Sequence, residues 1–377
     1  MSPSSEATGR RLGTLFLGYL AVVVAVITLA PFQFAVPARF TAALIVTDGG
    51  WATDVILNVV LFVPLGVLWH RTRGGRILAG LGFGLLLGAC IELAQLFLAP
   101  RYTTLSDVLA NGTGAWLGAA ISVALSRRVA STTLVTRLWL DQPMMGLVYL
   151  LWPLAWLVGL SSGSAPDRLW LLVPIGAAGA LAITAVATVG RSAGQGAVLP
   201  IAMTTIWMTV AAVPAMRVAP RLAGVGVGMA FVVAALGGPL WRFALRRERR
   251  LEPQVVRAVL PLLGVLLIGV SRQAGSVAVA GGGEAARESL LRVIAQAAAF
   301  TLLGYLIAES RGRRLEPLRR LVAWPLVAAT LAVVVLELAV APWHSMIRVS
   351  AALVATAVGA ALYDAQRAHI LTLLGLR

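Results

Sequence analysis

A chain of 377 residues with 59% hydrophobic and 12% charged content has too little polar surface to cover a water-soluble globule. The formal net charge of +16 would point a soluble protein towards nucleic acid. Here the basic residues, all arginine, sit in breaks between apolar runs and read as topology signals, so the expected partner is the lipid bilayer and no nucleic acid.

The single cysteine, Cys90, excludes an internal disulfide, and His70, His344 and His369 are scattered without zinc-ligand spacing. Neither a metal nor another cofactor is expected. Arg10 and Arg11 precede an apolar run from Leu12 to Ala30. That run is longer than the roughly 7–15 residues of a secretory h-region and no small-x-small site closes it, so it is expected to remain as an anchor helix.

A spanning helix needs about 20 mostly apolar residues. The runs between charged breaks predict helices over 12–30, 51–69, 77–98, 105–125, 143–160 and 169–189. Six more are predicted over 197–216, 222–241, 255–271, 289–308, 321–340 and 347–363. The fold class is therefore all-α, a polytopic bundle of about twelve transmembrane helices. With the amino terminus in the cytoplasm, 22 of the 31 arginines fall in inner loops and nine in outer ones, which predicts both termini inside. The Gly- and Ala-rich stretch from Ser271 to Glu288 reads as a flexible outer connector.

The last helices read as a worn copy of the second to fourth. Asn58, Phe62 and Gly66 match Gln296, Phe300 and Gly304 at an offset of 238. Ile91-Glu92-Leu93-Ala94 matches Leu336-Glu337-Leu338-Ala339, and Gly114 matches Gly359, both at an offset of 245. This predicts a four-helix domain over 12–128, a middle four-helix segment over 129–254, and a degenerate copy of the first over 255–377. The copy has Val340, Ala352 and Thr356 where the first has Gln95, Asp107 and Asn111, so no second working site is expected there.

Polar groups inside a membrane are costly and tend to face the bundle interior. Glu92 and Gln95 share a helix face, downstream of Gly80, Gly84 and Gly88, whose four-residue spacing admits a close neighbour. Asp107, Asn111, Gly114 and Gly118 follow helical spacing on the next helix. Asp54 and Asn58 lie near the outer end of the second, above Pro64. All six polar groups fall at similar depth, with Arg101 in the adjoining outer loop as the obvious counter-ion.

Three stretches carry a resemblance: NVVLFVPLG from Asn58 to Gly66, IELAQLFLAPR from Ile91 to Arg101, and SDVLANGTGAWLG from Ser106 to Gly118. In order and spacing they resemble the VanZ-like family pattern. That pattern is an Asn-Phe-Pro-Leu-Gly helix, an acidic-x-x-Gln helix followed by Arg, and an Asp-x-x-x-Asn-x-x-Gly helix. Pro31-Phe32 also resembles a Pro-Phe after the family's first helix. The likeness covers about residues 12–125 and implies Asn58, Glu92, Gln95, Arg101, Asp107 and Asn111 as the ligand-binding positions. It further implies a multi-pass protein of the bacterial inner membrane, linked through the family's founding members to resistance to the glycopeptide teicoplanin. The expected partners are a lipid-linked envelope precursor or a glycopeptide.

Three function classes stand at this point: a ligand-binding or resistance factor, a carrier or flippase of an amphiphile, and an intramembrane enzyme. An enzyme would use Glu92 or Asp107 as general base and Arg101 for phosphate. It ranks lower, because the sequence has no G-x-S-x-G elbow, no H-E-x-x-H and no P-loop lysine. The competing structural reading is a hydrogen-bond network that merely holds the second, third and fourth helices together.

Overall fold

The computed structural model describes residues 3–30, 32–36, 42–43, 51–98, 103–129, 143–189, 198–246, 251–273, 284–311, 317–339 and 346–373. Four helices come first: α1 (Pro3–Leu29), α2 (Trp51–Arg73), α3 (Ile77–Gln95) and α4 (Leu105–Val129). Then follow α5 (Pro143–Leu160), α6 (Leu172–Val189), α7 (Val198–Ala211), α8 (Val213–Val218) and α9 (Pro220–Arg246). The chain continues with α10 (Leu251–Gln273), α11 (Glu284–Arg311), α12 (Leu318–Ala339) and α13 (Met346–Leu373). Each predicted run falls largely on helix among the described residues. Nine of the described helical stretches are long and apolar enough to cross a membrane, against the dozen expected. Gly146–Leu160 in α5 and Val198–Ala211 in α7 are shorter apolar stretches.

The run predicted as one helix over 197–216 is two. A turn at Ala212 separates α7 from α8, and Pro214 has no N–H with which to continue the ladder to the carbonyl four residues back. The connector is also shorter than expected: α10 and α11 extend into it from both ends, and residues 274–283 lie outside the described ones.

The outward faces are apolar. On α9, Val225, Val232, Leu236 and Leu240 are exposed; on α12, Leu331, Val335 and Leu338 are exposed. In water each such side chain forfeits about 1.5–3 kcal/mol of burial. Hydrocarbon removes that penalty, so these faces identify the bilayer as the solvent of the bundle.

The chain divides into two compact units, 1–136 and 137–377. In the first, α4 lies against both α2 and α3, and α1 packs on α2. Gly74 and Gly75, both at positive φ, reverse the chain between α2 and α3. In the second, α11 packs against α13, α5, α10 and α12, while α6 packs against α9, α10 and α5. Trp156, Phe300 and Tyr305 fill its core, and the Tyr305 hydroxyl donates to Gln366 Oε1.

A polar clamp closes one end of the second unit. The Ser164 amide donates to Glu288 Oε1 at 3.0 Å, and Arg292 Nη2 donates to Ser164 Oγ at 2.8 Å and to Glu288 Oε2 at 3.2 Å.

Candidate functional site

Close helix approach sets the geometry of the first unit. A Cβ built on Gly66 would strike the carbonyl of Ala115, and one on Gly118 the carbonyl of Val63, so α2 and α4 meet backbone to backbone. Gly84 and Gly88 bring α3 equally near Ala115 and Asn111 of α4. The four-residue glycine spacing therefore works as a packing seam, as the sequence predicts.

That approach brings Asn58 of α2 to Asp107 of α4, where Asn58 Nδ2 donates to Asp107 Oδ1 at 2.8 Å. Both residues are half-buried. Glu92 on α3 is buried, at 5% exposure, and Glu92 Oε2 accepts the backbone N–H of Thr104 at 3.1 Å. A buried carboxylate costs several kcal/mol unless hydrogen-bonded, and this amide is one of the donors that offsets the cost.

Thr104 joins the two carboxylates. It precedes the first residue of α4, and its hydroxyl accepts the Asp107 N–H at 3.2 Å as an N-cap does. The same hydroxyl donates to Asp107 Oδ2 at 2.7 Å. A hydroxyl has one proton, so Ser106 Oγ, 2.9 Å away, must be the donor in their contact. Asn58, Asp107, Thr104 and Glu92 thus form one continuous chain of hydrogen bonds across α2, α4 and α3.

The loops over this chain are laced together. Strand β1 (Ala42–Ala43) pairs in parallel with β2 (Thr103–Thr104), and Phe34 bridges antiparallel to Leu98. The Ala35 amide donates to Phe97 O at 2.7 Å, and Thr103 Oγ1 donates to Glu92 O at 3.2 Å. Phe32 holds a positive φ of 62° where this lacing begins.

Not every expected position joins the chain. Gln95 is buried but turns to α1, its Nε2 donating to Thr28 O at 2.9 Å. Asn111 is 3% exposed, and its Oδ1 finds no hydrogen-bond partner among the described residues. Asp54 is exposed at the start of α2. Arg101, the expected counter-ion, lies outside the described residues, as do His344 and the side chain of Glu337.

Thr28, Thr103 and Thr104 belong to the arrangement and escaped the sequence reading. For Thr104 a signal existed: a threonine three residues before an acidic residue at a helix start is the spacing of a capping box. Here Asp107 occupies the place usual for Glu or Gln, and the cap N–H goes to Glu92 instead. Thr28 and Thr103 contribute a backbone carbonyl and a loop hydroxyl, which no local pattern announces.

The helices and their apolar outer faces define a multi-pass helical membrane protein, with a cluster of carboxylates and amides in its amino-terminal unit. Residues 10–126, nearly the whole of that unit's helical part, match the family model VanZ/LLP1. The match bears out the resemblance carried by Asn58 to Gly66, Ile91 to Arg101 and Ser106 to Gly118, and it ends at residue 126. No curated protein and no solved structure matches this chain.

Proposed function

We propose that this VanZ-type membrane protein serves the bacterial cell envelope from the inner membrane, with both termini in the cytoplasm. Its amino-terminal unit engages the polar head of a lipid-linked or amphiphilic ligand at the outer leaflet. The observation that carries the reading is the Thr104 bridge, which fixes two carboxylates, Glu92 and Asp107, through one residue of the loop. Carboxylates are rare within membrane domains and concentrate where ligands or ions are handled. Asn111 Oδ1, buried without a partner among the described residues, adds an acceptor at the same end of α4.

In this reading Glu92 and Asp107 orient ligand hydroxyl or ammonium groups, Asn58, Gln95 and Asn111 supply amide contacts, and Arg101 meets a phosphate or carboxylate of the ligand. The family link extends it to protection against teicoplanin. The test is to express wild type and Glu92→Gln at equal membrane levels in a glycopeptide-susceptible bacterium. Raised teicoplanin tolerance with wild type alone supports the resistance-like role. Equal tolerance in both strains at the empty-vector level removes that role, and equal tolerance above it removes Glu92 from the role.

A further inference from the structure

Of the two carboxylates joined by Thr104, Asp107 is the one open to its surroundings. It is half-buried, as is Asn58 beside it, whereas Glu92 is closed in at 5% exposure. Uncharged groups bond both Asp107 oxygens: Asn58 Nδ2 at 2.8 Å and the Thr104 hydroxyl at 2.7 Å. Those bonds fix the plane of the carboxylate between α2 and α4 and bring no positive charge. Each oxygen keeps a second lone-pair direction, so the group can accept further donors.

The donors around it are already committed. Thr104 gives its amide proton to Glu92 and its hydroxyl proton to Asp107, and Ser106 gives its hydroxyl proton to Thr104. What is left over is acceptor. Asn111 is 3% exposed, and its Oδ1 has no hydrogen-bond partner among the described residues. It sits one turn beyond Asp107 on the same face of α4 and leans back towards it, since helix side chains incline to the amino terminus. Across the seam it lies against Gly88, one turn before Glu92, where a Cβ would come 3.1 Å from Asn111 Nδ2. A buried acceptor without a donor is unfavourable, and an N–H brought by a ligand relieves it.

We propose that Asp107 receives the primary ammonium of a zwitterionic lipid headgroup or of a free amine, with Asn111 as the second acceptor. An ammonium carries three N–H donors and one positive charge. It therefore supplies both what a carboxylate held by neutral bonds lacks and what the Asn111 carbonyl lacks. The assignment rests on the reading of this unit as a headgroup site. There Arg101 meets the phosphate, so the amine and the phosphate of one headgroup each find an opposite charge.

The test uses the full chain in detergent, as wild type, Asp107→Asn and Glu92→Gln. Native mass spectrometry compares retention of phosphatidylethanolamine, its N-methyl and N,N-dimethyl forms, and phosphatidylcholine. This series keeps the charge and removes the N–H donors one at a time. In parallel, the melting temperatures of wild type and Asp107→Asn are followed with ethanolamine against choline at equal ionic strength. A lipid source predicts wild-type retention that falls about tenfold along the series, with no such preference in Asp107→Asn. A free amine predicts a rise with ethanolamine and not with choline, absent in Asp107→Asn. The same behaviour of wild type and Asp107→Asn towards both sets of probes overturns the assignment. In that event, a Glu92→Gln variant that still lowers the total lipid retained leaves the headgroup site standing, and one that does not removes both. Should Asp107→Asn fail to fold, wild type decides: a response that follows the number of N–H donors sustains the assignment, and indifference to methylation overturns it.

Discussion

Asn58 and Asp107, 49 residues apart in sequence, meet at 2.8 Å across the crossing where α2 and α4 touch backbone to backbone. The meeting depends on backbone contact: with side chains in place of Gly66 and Gly118, α2 and α4 could not approach far enough for a short amide to reach a short carboxylate. Interhelical polar pairs in membranes are worth about 0.6 kcal/mol on average and up to about 1.7 kcal/mol. A double-mutant cycle of Asn58→Ala and Asp107→Ala, read by unfolding in mixed micelles, is expected to give a coupling in that range. Strictly additive effects would show that the pair contributes nothing to holding the helices.

Gly118 and Gly82 make a contrast. A Cβ on Gly118 collides with the Val63 carbonyl, whereas nothing lies within 4 Å of one on Gly82. Gly118→Ala should destabilise by about 1–3 kcal/mol through forced separation of α2 and α4. Gly82→Ala should be neutral or stabilise by up to about 1 kcal/mol, since it only restricts the unfolded backbone. Thermal unfolding of the two variants checks the sign of each.

Thr104→Val deletes the hydroxyl that caps α4 and holds Asp107, yet leaves the amide bonded to Glu92. Loss of such a cap costs about 1 kcal/mol. Thr104→Ser keeps the hydroxyl and is expected to stay close to wild type. Hydrogen exchange at the first turn of α4 reports the same difference locally; equal protection in both variants would mean the cap is idle.

Much of this was legible in the sequence. The helices were, because hydropathy and length dictate spanning segments directly, and so was the α3–α4 seam, because glycines at every fourth position admit only one kind of neighbour. The pairing of Asn58 with Asp107 was legible only as shared depth. Nothing local says which amide reaches which carboxylate; Gln95, one turn from Glu92, turns instead to Thr28 of α1. The lacing of 34–35 and 42–43 against 97–98 and 103–104 was invisible, since strands two residues long carry no periodicity. The break at Ala212 was readable from Pro214, but the apolar run across it hid the turn.

The orientation proposed from the arginine distribution is checked by cysteine labelling in a Cys90→Ser background. Asp167 and Arg76 are both exposed and precede α6 and α3 respectively. In intact cells, a membrane-impermeant maleimide should label Asp167→Cys and spare Arg76→Cys until the cells are lysed. The reverse pattern would invert the topology and place the Glu92–Asp107 cluster at the cytoplasmic leaflet. Cys90, exposed on the flank of α3, should resist the same reagent in wild type because hydrocarbon covers it.

Native mass spectrometry of the purified chain bears most directly on ligand binding at the amino-terminal site, with wild type compared against Glu92→Gln and Arg101→Ala matched for melting temperature. Wild type is expected to retain an amphiphile that both variants lose by about tenfold, the loss of one charge-assisted hydrogen bond. If all three carry the same lipids in the same amounts, the chain from Asn58 to Glu92 only holds helices together, and the ligand-binding role is contradicted.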